Sequence, residues 1–193
     1  QKHLLAASSY RVVNAESDFL RGLIVDKYED VLVVQISSLG MDQRKEMITA
    51  ALQNVVSPRG IIERSDMASR KFEGLAEGTG VLAGESAGPL RVVMNDLSFE
   101  TDLNAGHKTG LYLDQQTNYR RVGELAAGAQ VLDAFSFVGG FGLHAAHWGA
   151  THVHMLDQSA EAITAAQGNA KLNNLDAKCS FEVVNVFDWL KAQ

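Results

Sequence analysis

The stretch VLDAFSFVGGFGLHAAHWGATHVHMLDQSAEAITAAQGNAKLNN, from Val131 to Asn174, decides the fold. It opens with a short apolar strand that ends in an acid, Asp133. A turn with Gly139, Gly140 and Gly142 follows, then a helix, a second apolar strand ending in Asp157, and a second helix. Strand, glycine turn and helix in that order form the βαβ unit of a Rossmann-like sheet, in which ligands sit at the carboxyl ends of the strands. Asp157 follows Asp133 by twenty-four positions. That suits an acid meeting a ribose diol, because a carboxylate offers two acceptor oxygens to two hydroxyls. The glycines would let backbone approach the ligand. The plain alternative is a tight strand-to-helix turn that holds no ligand.

Working outward, Phe181 to Val186 reads as a third strand, and Trp189 and Leu190 start a further element. Upstream, Tyr119, Val122, Leu125 and Ala126 recur at helical spacing, with Asp114 placed to cap that helix and Gly128 to end it. Leu90–Met94 and Ser98–Asp102 flank Asn95-Asp96, a hairpin pattern. Tyr10–Asn14, Leu23–Tyr28 and Val31–Ser37 are β-branched strands, the last two joined by Glu29-Asp30. Met41 to Val56 is helical, with Met47, Ile48, Ala51, Leu52 and Val55 on one side, and Ser57-Pro58 stops it. Gly60–Glu63 is strand-like, and residues 64–80 read as a polar loop. The expected fold class is therefore α/β: the N-terminal half of a Rossmann-like sheet, preceded by a small α+β domain. The expected divisions are 1–93 for the α+β domain, 94–130 for a hairpin and linking helix, and 131–193 for the partial Rossmann-like domain. Only three strands of a doubly wound sheet are present, and its first strand would be an exposed edge. The expectation is a fragment of a longer protein, or an edge covered by another chain.

Composition narrows the classes. A hydrophobic fraction of 46% supports a real core, and no window is long and apolar enough to span a bilayer. The single cysteine, Cys179, rules out an internal disulfide framework and suits a reducing cytoplasm. The net charge of −6 is uneven, −1 over residues 1–93 and −5 over 94–193. It gives no general argument for nucleic acid, although Arg59, Arg64, Arg70 and Lys71 cluster in sequence, as do Arg120 and Arg121. Solvated surface charge is the favoured reading of the first group.

The glycine turn lacks the G-x-G-x-x-G spacing of a dinucleotide site and the lysine motif of a phosphate loop. A nucleoside without phosphate fits better, and S-adenosylmethionine is the candidate cofactor. Asp114 is evenly balanced between helix cap and cofactor-side carboxylate. His144 and His147, and His152 and His154, have spacings that metal sites use, but no acid or cysteine completes a set, so packing is favoured and no metal is expected. Ser136 and His144 do not form a hydrolase, since no G-x-S-x-G elbow is present. Cys179 reads as a small buried hydrophobe.

Over nearly its whole length the chain resembles the RlmI/YccW-type bacterial methyltransferases, S-adenosylmethionine-dependent enzymes that make 5-methylcytosine in large-subunit ribosomal RNA. Residues 10–42, YRVVNAESDFLRGLIVDKYEDVLVVQISSLGMD, resemble the family's central domain, and Glu73–Leu75 its connecting segment. GHKTGLYLDQQTNYRR at 106–121 resembles its signature, with His107 where Gln is expected. VLDAFSFVGGFGLHAA, Gly149-Ala150 and LDQSAEAI continue the match.

The resemblance implies a class I methyltransferase fold. It places the cofactor against Asp133, Phe135, Ser136, Phe137, Gly139 and Gly140, then Asp157, Gln158 and Ser159, then Asn185 and Val186 of the 185–188 turn. Asp114 and Gln115 become cofactor-side residues. Asn185 stands where the family has an Asp holding the adenine amino group, and its carbonyl could accept that bond. The family's N-terminal RNA-binding module and its catalytic motifs, with the cysteine nucleophile, are not seen. Catalytic residues are expected beyond Gln193. The expected function is an rRNA methyltransferase, present as a cofactor-binding piece inactive alone. Its expected partner is ribosomal RNA, with no membrane and with a homodimer open. The alternatives are a same-fold methyltransferase of another RNA site or a small molecule, and a non-catalytic interaction module.

Overall fold

A computed structural model describes residues 7–86, 88–103 and 111–192. The signature residues 104–110, with His107 and Lys108, lie outside them. The chain divides into two compact units: Gln1–Val92 with Thr101–Asp114, and Val93–Glu100 with Gln115–Gln193. No helix among the described residues is long and apolar enough to cross a membrane.

The first unit is a five-stranded sheet in the order β1 (Tyr10–Asn14), β2 (Leu23–Tyr28), β3 (Val31–Ile36), β4 (Gly60–Ser65), β5 (Gly78–Gly84). Neighbours are antiparallel except β3 and β4, which run parallel. A parallel pair needs a crossover, and α1 (Leu39–Asp42) and α2 (Lys45–Val56) supply it. Leu23, Val25, Leu32, Val34, Ile36, Leu52 and Ile61 form the core, with Met41, Ile48 and Val56 packed on it. The helix therefore presents 48, 52 and 56 inward, while Met47 and Val55 are exposed. The expected face carried Met47 and Val55, but the sheet covers the side of the helix that bears Ile48, Leu52 and Val56.

Residues 64–80 are not a loop. They finish β4, form a short 3-10 helix at Ala68–Glu73 and enter β5. Nor are Arg64 and Arg70 solvated, since both are buried. Arg64 Nη1 donates to the Leu103 carbonyl at 2.7 Å and Nη2 to Asp66 at 3.2 Å. Arg70 donates from Nε to the Ala76 carbonyl at 2.7 Å, from Nη1 to the Ile36 carbonyl at 2.5 Å, and from Nη2 to Asp42 at 3.0 Å. Five donors in a rigid fork let one side chain serve three acceptors from separate segments, which a polar loop pattern does not disclose. Arg70→Ala strands those acceptors, and a loss of about 3–5 kcal/mol is expected in urea unfolding.

The second unit holds the βαβ run as expected. The hairpin β6 (Pro89–Met94) and β7 (Leu97–Asp102) turns at Asn95 and Asp96, both at positive φ, as a two-residue turn of this type requires. Then come α3 (Gln116–Leu125), β8 (Gln130–Ala134), α4 (Gly140–His147), β9 (His152–Asp157), α5 (Ala160–Leu172), β10 (Cys179–Val183) and α6 (Val186–Lys191). The three strands are parallel in the order β10–β9–β8, with Val153, Met155 and Leu156 of the middle strand buried. The inward face of α3 is Gln116, Tyr119 and Gly123, whereas Val122 and Leu125 are exposed. Gln115, not Asp114, occupies its N-cap position.

Candidate cofactor site

At the carboxyl ends of β8, β9 and β10 three short segments converge, and each is held by backbone bonds. After β8 the chain turns through Phe135, Phe137 and Gly139, all at positive φ. Bulky residues rarely adopt that conformation, and such strain persists where surrounding structure enforces it. Here the Ser136 amide donates to the Leu156 carbonyl at 2.9 Å, and the Phe137 amide donates to Asp157 Oδ2 at 2.9 Å. Asn169 of α5 donates to the Val138 carbonyl at 3.1 Å and accepts the Glu100 amide at 3.0 Å.

The glycines do different work from that expected. A Cβ on Gly140 would fall 2.7 Å from the Tyr119 ring, and one on Gly142 would meet Met155 and Asp133. Their missing side chains make room for protein beneath the turn. Gly139, at φ +87°, provides the left-handed step into α4.

Asp133 faces inward. Its Oδ2 accepts the Gly142 amide at 2.7 Å, satisfying a donor of the first turn of α4. Burial pushes its carboxyl up to about 6, against the pull of the Gly142 bond and with a further push from Asp157. Asp157 is only half-buried, and each oxygen accepts one backbone bond: Oδ2 from Phe137, Oδ1 from Ser159 at 2.9 Å. Because a carboxylate has about four lone-pair sites, each oxygen keeps capacity for one more donor. Ser159 caps α5 by accepting the Ala162 amide at 3.1 Å, and Gln158 is exposed. Asn185 Oδ1 accepts the amides of Phe187 and Asp188 at 3.0 and 3.3 Å, and Val186 is buried beside it. Two amides thus occupy the carbonyl that could have held an adenine amino group, and the side chain's remaining polar group is a donor. The Val184 amide donates to the Asp157 carbonyl at 2.9 Å and ties this segment to β9. Phe135 and Phe187, both largely exposed, lie against each other with ring centroids 5.3 Å apart and planes tilted by 59°.

Ser136 Oγ is buried without a hydrogen-bond partner among the described residues. Such an orphan is rare and calls for an occupant that supplies one. Gln115 lies in the second unit, bonded to Asn118 at 2.9 Å, while Asp114 belongs to the first.

Asn169 escaped the sequence reading, whereas packing was the favoured reading of His144. Asn169 sits on the buried stripe of α5 with Ala162, Ile163, Ala166 and Ala170. A polar residue on such a stripe signals an internal hydrogen bond. His144 is fully buried and stacked on Tyr119 and Trp148, with centroids 5.0 and 5.6 Å away. Its Nδ1 lies 2.6 Å from the Gly140 carbonyl, and its Nε2 lies 3.2 Å from Asn95 Nδ2. Burial drives its pKa down to about 4. The ring is therefore neutral, with Nδ1–H as donor and Nε2 as acceptor.

Cys179 is half-buried, and burial raises its thiol to about 11. At pH 8 roughly one part in a thousand is thiolate. Alkylation by iodoacetamide, followed by mass spectrometry, is expected to run hundreds of times slower than for free cysteine.

The model of one family, S-adenosylmethionine-dependent methyltransferase, matches residues 63–192. The chain belongs to the S-adenosylmethionine-dependent methyltransferases. Among curated relatives it is 43% identical over 191 residues to the ribosomal RNA large subunit methyltransferase I of Tolumonas auensis, covering 97% of this chain and 48% of that protein. It is 45% identical over 170 residues to the protein of the same name in Aeromonas salmonicida, covering 88% and 43%. The chain thus spans about half the length of these methyltransferases. A Streptococcus mutans protein provisionally assigned as a SAM-dependent methyltransferase superposes with a TM-score of 0.84 at 27% identity, over 96% of this chain and 48% of that one. A second methyltransferase assigned in the same way, solved with SAH, superposes with a TM-score of 0.86 at 27% identity, over 99% and 49%. The α/β Rossmann-like architecture is that of these methyltransferases.

Proposed function

We propose that the ends of β8, β9 and β10 bind S-adenosylmethionine, and that the protein methylates large-subunit ribosomal RNA. The observation carrying the cofactor reading is Asp157. It is anchored by two backbone amides, with acceptor capacity remaining on both oxygens. That arrangement suits the two hydroxyls of a ribose. When bound, the cofactor supplies an electrophilic methyl group on a sulfonium. The chain's residues orient it: Asp157 holds the ribose, Ser136 Oγ gains a partner, and Phe135 and Phe187 offer ring faces to the base. Asp133, Gly139, Gly140, Ser159 and Val186 shape the turns, while Gln115, Gln158 and Asp114 are proposed as cofactor-side residues on the resemblance alone. The RNA reading rests on the relatives' names and the resemblance.

Asn185 tunes the adenine end. With its carbonyl taken, it presents a donor where the base's exocyclic amino group also donates. Asn185→Asp keeps one oxygen for the two capping amides and offers the other to that amino group. Cofactor affinity by calorimetry is expected to rise about tenfold. Unchanged or weaker binding contradicts this placement of the base.

The RNA reading is tested by incubating the full-length protein with tritiated-methyl S-adenosylmethionine and large-subunit ribosomal RNA. Label in the RNA supports it. Label only in another acceptor sinks it.

A further inference from the structure

The first unit carries a second surface whose chemistry differs from the cofactor site. Arg21, Ser38, Gly40, Met41, Arg44 and Glu73 line a cleft of about 440 Å³. Three segments build it. Ser38 Oγ donates to the Arg21 carbonyl at 3.2 Å, and the Leu39 amide donates to Glu73 Oε2 at 3.2 Å. Two phenylalanines flank these segments: Phe19, two residues before Arg21, and Phe72, next to Glu73 and Lys71. They are 96% and 93% exposed, the most exposed large apolar side chains described. Phe19 is also held at φ +58°, a conformation that bulky residues rarely adopt, by bonds from its own amide to the Glu16 carbonyl and from Leu20 to Ala15. The turn caps the 3-10 helix Ala15–Asp18, a task that needs no aromatic side chain, yet it carries a phenylalanine ring out into water.

We propose that this cleft and its two phenylalanines bind single-stranded RNA, a proposal that rests on the reading of an RNA substrate and assigns part of its recognition to the first unit. Bare rings interleaved with cations are what an unpaired strand requires. Bases stack on the rings whatever their sequence, and cations follow the phosphates. The chain is acidic overall at −6, yet Arg21 and Arg44 line the cleft, and Lys71 adjoins Phe72 in the chain. The opposing acids are partly engaged. Glu73 receives the Leu39 amide, Asp18 receives the Asn14 amide at 2.6 Å, and Glu16 lies 3.8 Å from Arg21 in an exposed contact that phosphate can displace.

The test is fluorescence anisotropy of a labelled single-stranded RNA of about twelve nucleotides, within the usual site sizes, titrated with the 193-residue chain. Phe19→Ala and Phe72→Ala are each expected to weaken binding about 5- to 100-fold. Arg21→Glu with Arg44→Glu is expected to flatten the log affinity against log salt slope by roughly 1.4, at about 0.7 per phosphate contact. Thermal melting verifies that these exposed positions leave the fold intact. The proposal is overturned if the variants keep the parent's affinity, if the chain binds no RNA, or if sedimentation shows the phenylalanines pairing two copies of the chain instead. Cofactor titration on the same variants should be unchanged. Loss of cofactor binding in the parent, with these RNA effects intact, would remove the cofactor reading and leave this surface standing.

Discussion

Replacing Asp157 with alanine is expected to weaken S-adenosylmethionine binding about 100-fold or more, read by calorimetric titration. The carboxylate serves two purposes at once. It fixes the Phe137 and Ser159 amides, and so the strained turn after β8. In the proposed complex it also accepts two ribose hydroxyls. Hydrogen bonds to a charged group contribute about 1.5–3 kcal/mol each, so losing two amounts to at least about 3 kcal/mol. Asp157→Asn separates the purposes, because an amide retains one acceptor oxygen. An intermediate loss of about tenfold is expected. Equal affinity in the parent and both variants would show that the ribose lies elsewhere.

The second large effect concerns acid stability. Asp133 titrates near 6 in the folded chain against an ordinary 3.8. The folded state holds that proton more tightly, so this contribution to stability is full below pH 4 and is lost as pH rises through 6. His144 runs the other way, lowered to about 4 from 6.5. Its contribution is full above 6.5 and is lost as pH falls through 4. Between about pH 4 and 6 the two slopes oppose, each near 1.4 kcal/mol per pH unit, and largely cancel. Asp133→Asn keeps an acceptor for the Gly142 amide and removes the titration. The variant-minus-parent stability from urea unfolding is then expected to rise by about 3 kcal/mol from pH 4 to 6. His144→Phe keeps a ring in the stack, and its difference is expected to fall with rising pH by a similar amount. A flat difference for either variant means that its group is not perturbed by burial as the structure implies.

Much of this was readable in the residues, for reasons that differ along the chain. The βαβ run was legible because strand, glycine turn and helix change periodicity abruptly at Asp133 and Asp157. The Asn95-Asp96 turn was legible because few residue pairs adopt positive φ together. The phase of α2 was not, since Met47 and Val55 are as apolar as Ile48 and Val56, and only the sheet decides which face is covered. Residues 64–80 were misjudged because Arg64 and Arg70 look solvated until the backbone carbonyls that bind them are brought near. In the candidate site, spacing in the sequence singled out Asp157 and the turn as candidates. The inward role of Gly140 and Gly142 was not, because it depends on Tyr119, Asp133 and Met155 packing beneath them. The commitment of the Asn185 carbonyl was hidden for a similar reason. The start of α6 makes that carbonyl a cap, and a cap is defined by backbone geometry.

A crystal structure of the chain with S-adenosylhomocysteine would locate the nucleoside directly. The ribose hydroxyls are expected on the two oxygens of Asp157 and the adenine beside Phe135 and Phe187. A nucleoside bound away from the ends of β8 and β9, with Asp157 facing solvent, would contradict that placement.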